Sequence, residues 1–386
     1  MLDLSALSSI DLDTTSATVT TGSGVTLDAL LKALVPAGYF LPVTAGSGMA
    51  TVGGSVATDV HGSNHRGDGS FGSHLSRLTL VDGTGELVTL GPDAGPERFW
   101  ATVGGLGRTG VIVEATFDLF LISSAFLSVD TERASDLEVV MDRMIAREDD
   151  YRYSVAWIDS VHPPGRGVLA RSNHAPADWL AGRRAQQPLA FSPRTIIAVP
   201  GLVPNGVVSP LSTRAVNEAL FRWASKRGRG ELRHVSAFLH PLDAIRDWQR
   251  LFGPAGLLQY QFTVPDAAAH LVRRALTALR RIGAVSPLTV LMRLGPANPA
   301  PLSFPRPGWS LTVGLPAGIE GLAAILDALD EQILGAGGRL NLASDARMSR
   351  ETVASSYPRL SEWQRVCRAM DPDGVFTSDQ WRRLRL

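Results

Sequence analysis

The amino-acid sequence predicts an α+β protein. Three observations support this prediction: a first part rich in strands, a later part in which strands alternate with amphipathic helices, and clusters of turn residues between them. The chain has 386 residues, which suffices for one large or two ordinary domains with real cores.

The first part is predicted to contain one helix among strands. Residues 15–22 are rich in β-branched side chains and predict a strand. A helix follows, which Thr26 or Asp28 can cap and which Pro36 with Gly38 ends. Further on, the sequence predicts a hairpin over 77–90, with turn residues at 82–85, and a long strand near 111–121.

The second part alternates between the two types of element. Apolar residues at helical spacing predict a helix near 137–145, and a strand follows at 151–159. Residues 160–210 show little periodicity, which is typical of a lid or a disordered segment, or else indicates a missed element. The remaining predicted elements are strands at 257–265, 287–295 and 309–316, helices at 266–283 and 319–338, and a mainly helical end from about 339.

Composition excludes several classes of partner. Lys plus Arg and Asp plus Glu number 37 each, so no overall field favours nucleic acid. The single cysteine, Cys367, rules out an internal disulfide and a cysteine-based metal site, and we interpret it as structural. Neither a transmembrane segment nor a signal peptide is evident in this chain, so we expect a cytoplasmic protein or one peripherally associated with the cell envelope.

A glycine-rich segment, residues 40–72, is the strongest local signal. Gly46, Gly48, Gly53 and Gly54 offer backbone N–H groups without Cβ obstruction, which suits a pyrophosphate or a flat ring. A purely structural turn region is the alternative, and glycine content alone leaves it open. Neither a GxGxxG turn between strand and helix nor a P-loop occurs, so the sequence does not support a Rossmann site.

His61 is the candidate reactive side chain in this segment. Followed by Gly62, it can lie against a cofactor ring, although a structural histidine is the alternative. His65 and His74 follow, but their spacing matches no metal pattern, and we expect no metal. Later, Gln259 and Gln261 alternate with aromatic residues, so both amides point to one face of a strand and await either a ligand or neighbouring strands.

Three motifs carry a resemblance to a known family. TVGGSVATDVHGSNH, GSFGSHL and FWATVGGLGRTGVI resemble the FAD-binding (PCMH-type) domain of the vanillyl-alcohol-oxidase / p-cresol-methylhydroxylase superfamily. Within it, the sequence is most similar to the decaprenylphosphoryl-β-D-ribose 2'-oxidase family, including FGPAGLLQYQFTVP, GPANPAPLSFPRPGW and YPRLSEW. The resemblance implies an FAD-binding domain over 1–125, a substrate domain with an antiparallel sheet flanked by helices over 126–339, and a segment returning to the FAD domain over 340–386.

The same resemblance implies the site residues. Non-covalent FAD is expected to contact Gly46, Thr51, Val52, Gly53, Gly54, Thr58, Asp59, Val60, His61, Val113 (on the adenine side) and Asn341. The substrate pocket is expected to contain Gln259, Gln261, Arg293 and Thr312. Catalytic roles are expected for His61, Gln261 and Ser344.

The sequence departs from the family pattern in both the FAD-binding domain and the substrate domain. The RGLGRSYG turn of the family's first FAD subdomain does not occur, so this subdomain is expected to be largely missing. The family's flavin-side lysine falls at Ser344 and a tyrosine at Asn341. Its pocket cysteine and aspartate fall at Thr312 and Gly314, and a second lysine at Met292.

The function that the resemblance implies is oxidation of a hydroxyl of a sugar, or of a polyprenyl-phosphate sugar, to a carbonyl by hydride transfer to flavin N5. The resemblance further implies a place in cell-wall arabinan biosynthesis and a partner reductase. Two alternatives stay open: a degenerate, non-catalytic homologue that binds a partner, and an aldonolactone- or alditol-type sugar oxidase.

Overall fold

Two antiparallel sheets organise the structure, a computed structural model that describes residues 2–163, 165–193 and 195–386. The strands of the first part are β1 Ile10–Asp13, β2 Thr18–Gly22, β3 Tyr39–Phe40, β4 Leu75–Val81, β5 Leu87–Leu90, β6 Val111–Asp118 and β7 Phe120–Leu121. Five of them form a sheet in the order β1-β2-β6-β4-β5, and β3 pairs with β7. The pairing of β4 with β5 confirms the predicted hairpin.

Four helices belong to this first part: α1 Leu27–Leu34, α2 Val52–Ala57, α3 His65–Asp68 and α4 Pro96–Thr102. Helix α1 forms as predicted. Thr26 caps it by accepting a hydrogen bond from the Ala29 N–H, and its four leucines are buried. After Phe40 the glycine-rich segment forms no strand; α2 and α3 are short helices joined by turns, and most of its residues are buried or half-buried.

The second part builds a larger sheet. Its strands are β8 Phe126–Ala134, β9 Tyr153–Ile158, β10 Gly167–His174, β11 Ile197–Ala198, β12 Arg227–His234, β13 Ile245–Arg246, β14 Leu257–Val264, β15 Thr289–Leu294, β16 Gly308–Pro316 and β17 Arg339–Leu340. Eight of them form one sheet in the order β12-β8-β10-β9-β15-β16-β14-β17, whereas β11 and β13 form a separate parallel pair. Together the two sheets and their helices make an α+β fold.

Strand β10 is an element that was missed in the segment 160–210, which is one of the three alternatives left open for that segment. It lies between β8 and β9, inside the large sheet. The strand escaped prediction because it buries a charged residue: the Arg171 guanidinium donates to the Glu132 carboxylate at 2.6 Å and to the Arg143 carbonyl at 3.1 Å. A buried ion pair satisfied in this way does not show the apolar alternation that marks a strand.

The two faces of the large sheet differ in character. The register pairs Gln259 with Gly314 and Gln261 with Thr312, so these residues share one face, which we call the polar face. Tyr260 and Phe262 point to the other face and are buried. That second face, the apolar face, packs under helices, and it provides the core of the second part.

Nine more helices complete the description: α5 Leu137–Ala146, α6 Arg183–Gln186, α7 Pro210–Trp223, α8 Val235–Leu239, α9 His270–Arg281, α10 Leu322–Gly335, α11 Arg350–Ser356, α12 Leu360–Met370 and α13 Asp379–Leu384. Helix α5 confirms the predicted periodic segment; Asp136 caps it by accepting from the Val139 N–H. Within the described residues, no helix combines the length and the apolar character that a membrane crossing requires.

The last helices contact the first part of the chain. Trp363 on α12 is buried, and its indole N–H donates to the Ala101 carbonyl of α4 at 3.1 Å. The Gly83 N–H donates to the Met370 carbonyl at 2.8 Å. Cys367 lies on the same helix, and burial raises the pKa of its thiol to about 12, which makes it unreactive at neutral pH.

Candidate functional site

The glycine-rich segment lies beside the polar face of the large sheet. Helix α3 contacts β15, and the Ser154 N–H of β9 donates to the Ser63 carbonyl at 2.9 Å. Between α2 and α3, the residues 57, 58 and 60–63 are half-exposed although they lie in the middle of the molecule. This strip of small side chains therefore borders space between the two parts.

The glycines of the segment serve different purposes. A Cβ atom added at Gly46 would have no neighbour within 4 Å, so this backbone borders open space. A Cβ at Gly53 would instead stand 2.8 Å from the Cβ of Ser23, so Gly53 is needed for packing. Gly48 is similarly close to His240 and Asp243, whose atoms would stand 3.2 and 3.3 Å from an added Cβ. The idea that all four glycines admit a ligand is thus too simple.

The residues present fit FAD at this place. Gly46 leaves free space beside its backbone, and the half-exposed strip continues from Thr58 to His61. On the predicted adenine side, the Val113 carbonyl accepts from the Ser23 N–H at 2.9 Å. The Ser23 hydroxyl is buried without a hydrogen-bond partner among the described residues, which is the condition of a group that awaits a ligand.

A chain of hydrogen bonds crosses from the large sheet to His61. The Ala343 N–H donates to Asn341 Oδ1 at 3.0 Å, which fixes the orientation of that amide. Asn341 Nδ2 then donates to Gln261 Oε1 at 2.8 Å. Gln261 Nε2 donates in turn to His61 Nε2 at 3.0 Å, and its other hydrogen points to Ser310 Oγ at 3.4 Å. We call this series the amide chain.

The amide chain determines the protonation of His61. Because Gln261 Nε2 can only donate, His61 Nε2 must accept, and the imidazole proton resides on Nδ1. The ring is half-exposed by surface area, yet protein atoms enclose it, and this burial lowers the pKa of His61 to about 4. His61 is therefore neutral at pH 7 and offers a hydrogen-bond donor at Nδ1. The Phe304 ring packs against it with ring centroids 5.4 Å apart.

Two of the predicted pocket residues, Gln259 and Gln261, lie together with the predicted flavin contact Asn341 and the predicted catalytic residue Ser344. Gln259, Gln261, Asn341 and Ser344 converge on one cavity of about 20 Å³ between β14 and the segment after β17. This volume accommodates about one water, so a larger ligand there requires displacement of the 344–348 segment. Ser344 carries no charge, and its hydroxyl donates to the Asn341 carbonyl at 3.4 Å.

The placement of Arg293 in this pocket is wrong. Arg293 pairs in register with Trp309, and both side chains lie on the apolar face, opposite Gln261 and Thr312. Its guanidinium lies 4.9 Å from the Trp309 ring centroid and pairs with the Asp266 carboxylate at 2.6 Å. Met292, one residue earlier, is the residue that β15 directs to the polar face.

Asp59 has a role that the sequence did not reveal. Its buried carboxylate accepts from the Gly72 N–H at 2.9 Å and from Asn298 Nδ2 at 2.8 Å, and also from the hydroxyls of Ser70 and Ser303. Desolvation raises the pKa of this carboxyl, against the effect of its donors. The carboxylate therefore attaches the loop at 298–303, and with it Phe304, to the first part. Asn298 and Ser303 lie in the GPANPAPLSF motif. In the sequence, only the family resemblance drew attention to this motif, and nothing linked it to Asp59.

Metal binding finds no support among the described residues, where no group of three or more His, Cys, Asp or Glu side chains could hold an ion. His65, the nearest candidate to His61, has another function: its Nδ1 accepts from the Gly295 N–H at 3.0 Å. This bond ties α3 to the end of β15.

The buried histidines predict a loss of stability in acid. Burial lowers the pKa values of His65 and His174 to about 3 each, with smaller effects from His61 and Arg152. Below about pH 6.5 the unfolded chain binds protons at both rings that the folded chain does not, so the free energy of unfolding falls as pH falls. Each ring contributes about 1.4 kcal/mol per pH unit between about pH 6 and pH 4. Urea unfolding at a series of pH values measures this dependence. H174Q should lower the change in unfolding free energy per pH unit by the contribution of one ring. An unchanged pH dependence would contradict the lowered pKa of His174.

Comparison with known proteins identifies a family for this chain. Residues 1–91 match the FAD binding domain family. A decaprenylphosphoryl-beta-D-ribose oxidase from Mycolicibacterium smegmatis is 39% identical over 100% of this chain and 85% of its own length. An uncharacterized protein in the mprA 5' region of Streptomyces coelicolor is 37% identical over 94% of this chain and 100% of its own length. An alditol oxidase from a Streptomyces species is 26% identical over 100% of this chain and 85% of its own length.

Proposed function

Because the chain belongs to the decaprenylphosphoryl-β-D-ribose oxidase family and is an FAD-dependent oxidoreductase, we propose that it oxidises a hydroxyl of a sugar or of a polyprenyl-phosphate sugar to a carbonyl. The amide chain is the observation that carries this proposal. It holds a neutral imidazole at the junction of the FAD-binding part and the polar face, which is where a substrate hydroxyl would meet the cofactor.

The FAD would be held by the half-exposed residues between Thr51 and His61, by the open side of Gly46 and, on the adenine side, by the region of Ser23 and Val113. When bound, FAD supplies the acceptor for the hydride of the alcohol carbon. The protein supplies position and polarity, since Phe304 limits access of water to His61.

His61 and Gln261 have separate tasks in this proposal. With its proton on Nδ1 and its Nε2 engaged by Gln261, His61 donates a hydrogen bond and does not act as a general base at neutral pH. Gln261 keeps this tautomer fixed. Gln259 and Thr312, which lie on the same face of the sheet, offer polar groups to the hydroxyls of a sugar.

Ser344 distinguishes this site from the family pattern. A lysine in its place would bring a positive charge to the flavin side of the pocket, whereas the Ser344 hydroxyl is neutral and bonds to the Asn341 carbonyl. We therefore propose that turnover by this chain depends on hydrogen-bond donors such as His61, and that its substrate differs from that of the family in charge or size.

Retention of FAD tests the first step. Purified chain, incubated with FAD and then desalted, should keep a yellow chromophore that is released on denaturation, as expected for a non-covalent cofactor. Bleaching of this chromophore by candidate sugar alcohols, without O2 and then with an added dye acceptor, tests oxidation and the electron acceptor separately. A colourless but folded chain would favour the degenerate, partner-binding homologue.

Substitution of two glycines should separate the cofactor space from the packing. G46F should weaken FAD binding at least tenfold without lowering the Tm, because the new side chain enters space that is open in the protein. G53A should instead lower the free energy of unfolding by about 1–3 kcal/mol, because its Cβ collides with Ser23. G335F, at another glycine with no neighbour within 4 Å, is the control for bulk alone. Equal FAD affinity of G46F and G335F would contradict the assignment.

A second candidate function is oxidation of a free alditol. The similarity to the Streptomyces alditol oxidase extends over the whole chain and motivates this alternative. Parallel bleaching assays with free alditols and with a prenyl-phosphate sugar distinguish the two, because only the second substrate needs space for a lipid tail.

A further inference from the structure

Helix α7 exposes large apolar side chains, whereas the two side chains that it buries are polar and uncharged. Leu211 and Trp223 are 80% and 84% exposed, whereas Thr213 and Asn217 are buried. The Asn217 amide donates to the Asp159 carboxylate at 2.8 Å, so the polar side of the helix is its docked side. A helix on the surface of a globular protein normally has the opposite arrangement.

The stretch of chain before α7 also exposes large apolar side chains. Ile196 and Leu202 precede α7 and are 82% and 94% exposed, and Trp179 is also largely exposed. Large apolar side chains that are exposed on one helix face and in the stretch before it indicate a site that binds a partner or a membrane. We call these residues, together with Leu211, Val216, Leu220 and Trp223 of α7, the exposed apolar surface.

The same stretch has an excess of positive charge. Although the whole chain is balanced, residues 179–230 contain eight Lys or Arg and one acidic residue, Glu218. The Glu218 carboxylate pairs with Arg166 and Arg222. The eight cationic residues are Arg183, Arg184, Arg194, Arg214, Arg222, Lys226, Arg227 and Arg229.

We propose that the exposed apolar surface binds a bilayer that contains anionic phospholipid. The apolar side of α7 would enter the boundary between headgroups and acyl chains, and the arginines at its margin would face the headgroup phosphates. Trp223, at the end of the helix, suits this boundary because an indole combines an apolar ring with one N–H donor.

The charge pattern favours a bilayer over a second copy of the chain. In a two-fold dimer the same surface meets itself, so the cationic stretch would oppose an identical cationic stretch. Arg222 and Arg229 already pair with carboxylates of this chain, but a neutral apolar partner would offer no opposite charge to the exposed Arg214 and Arg227. An anionic lipid surface satisfies both features at once.

Vesicle sedimentation of the full chain with bound FAD tests the proposal. We expect binding to vesicles of phosphatidylcholine with phosphatidylglycerol, and at least tenfold weaker binding to phosphatidylcholine alone. The double variant L211S/W223S should bind the anionic vesicles at least tenfold more weakly. R214Q/R227Q should bind about 25-fold more weakly, since each Lys or Arg near such a surface contributes about fivefold. L87S, at an exposed leucine of the first part, should bind like the unaltered chain.

A label provides an independent reading. Cys367 is buried, so a fluorophore attached to an introduced L211C reports on α7 alone. Its emission should shift to the blue with anionic vesicles, whereas a label at L87C should not respond. Equal binding to both lipids, unchanged binding of L211S/W223S, or a dimer that L211S/W223S dissolves would overturn the proposal. None of these readings depends on oxidase activity.

Discussion

Replacement of Asp59 by alanine is expected to lower the free energy of unfolding by about 4 kcal/mol. The carboxylate is the shared acceptor of four donors, and two of them, the Gly72 N–H and Asn298 Nδ2, cannot rotate toward another acceptor. Each unsatisfied buried donor costs roughly 1–3 kcal/mol. Asp59 also has a φ of 44°, a left-handed conformation that costs alanine about 1 kcal/mol more than Asp or Asn.

Two further variants separate these contributions. D59N keeps the tolerance for a left-handed backbone but directs an amide donor toward other donors, and about 2 kcal/mol should be lost. D59G relieves the backbone and removes the acceptor, so its loss should approach that of D59A. Urea unfolding provides the measurement, with D93A at an exposed aspartate as the control. If D59A and D93A were equally stable, the carboxylate would not be holding the 298–303 loop.

Replacement of Gln261 by leucine is expected to lower kcat about 100-fold while FAD content stays unchanged. Leucine removes the donor that fixes the His61 tautomer and leaves Asn341 Nδ2 without its acceptor. The imidazole can then carry its proton on either nitrogen, and the donor at Nδ1 is present only part of the time. The loss should fall on kcat rather than on KM.

The glutamate variant of the same residue gives a sharper reading. A carboxylate at position 261 should raise the pKa of His61 from about 4 toward neutrality, so the pH profile of kcat should gain a new transition between about pH 5 and pH 7. Q332L, at a glutamine on α10, is the control for a change of glutamine elsewhere in the protein. A pH profile of Q261E identical to that of the unaltered chain would exclude a coupling between Gln261 and His61.

The sequence predicted correctly those elements that have clear capping residues, turn residues or apolar periodicity. Thr26, the leucines that follow it and Gly38 define α1, and the turn at 82–85 defines the hairpin. Strand β10 was missed because its Arg171 is buried in an ion pair, which removes the apolar alternation. The sequence also did not reveal the apolar surface of α7. Its apolar residues recur at helical spacing, but they face solvent and not the core.

The sequence likewise predicted some features of the candidate site and not others. Alternation along β14 correctly placed Gln259 and Gln261 on one face. For β15, alternation alone shows that Met292 and Arg293 face opposite sides, but only the register with β16 reveals which side meets the pocket. The contact between Asp59 and Asn298 joins residues 239 apart, and no local pattern of small residues around Asp59 could indicate it.

The attachment of α12 to α4 has a consequence for the order in which the protein is made. Trp363 covers Ala101, and Met370 accepts from Gly83, so the first part shares its interior with the end of the chain. A nascent chain on the ribosome cannot close this interior until α12 has been translated, more than 250 residues after α4. The large sheet must then form while the first part is still open, and chaperones have their longest opportunity to act during that interval.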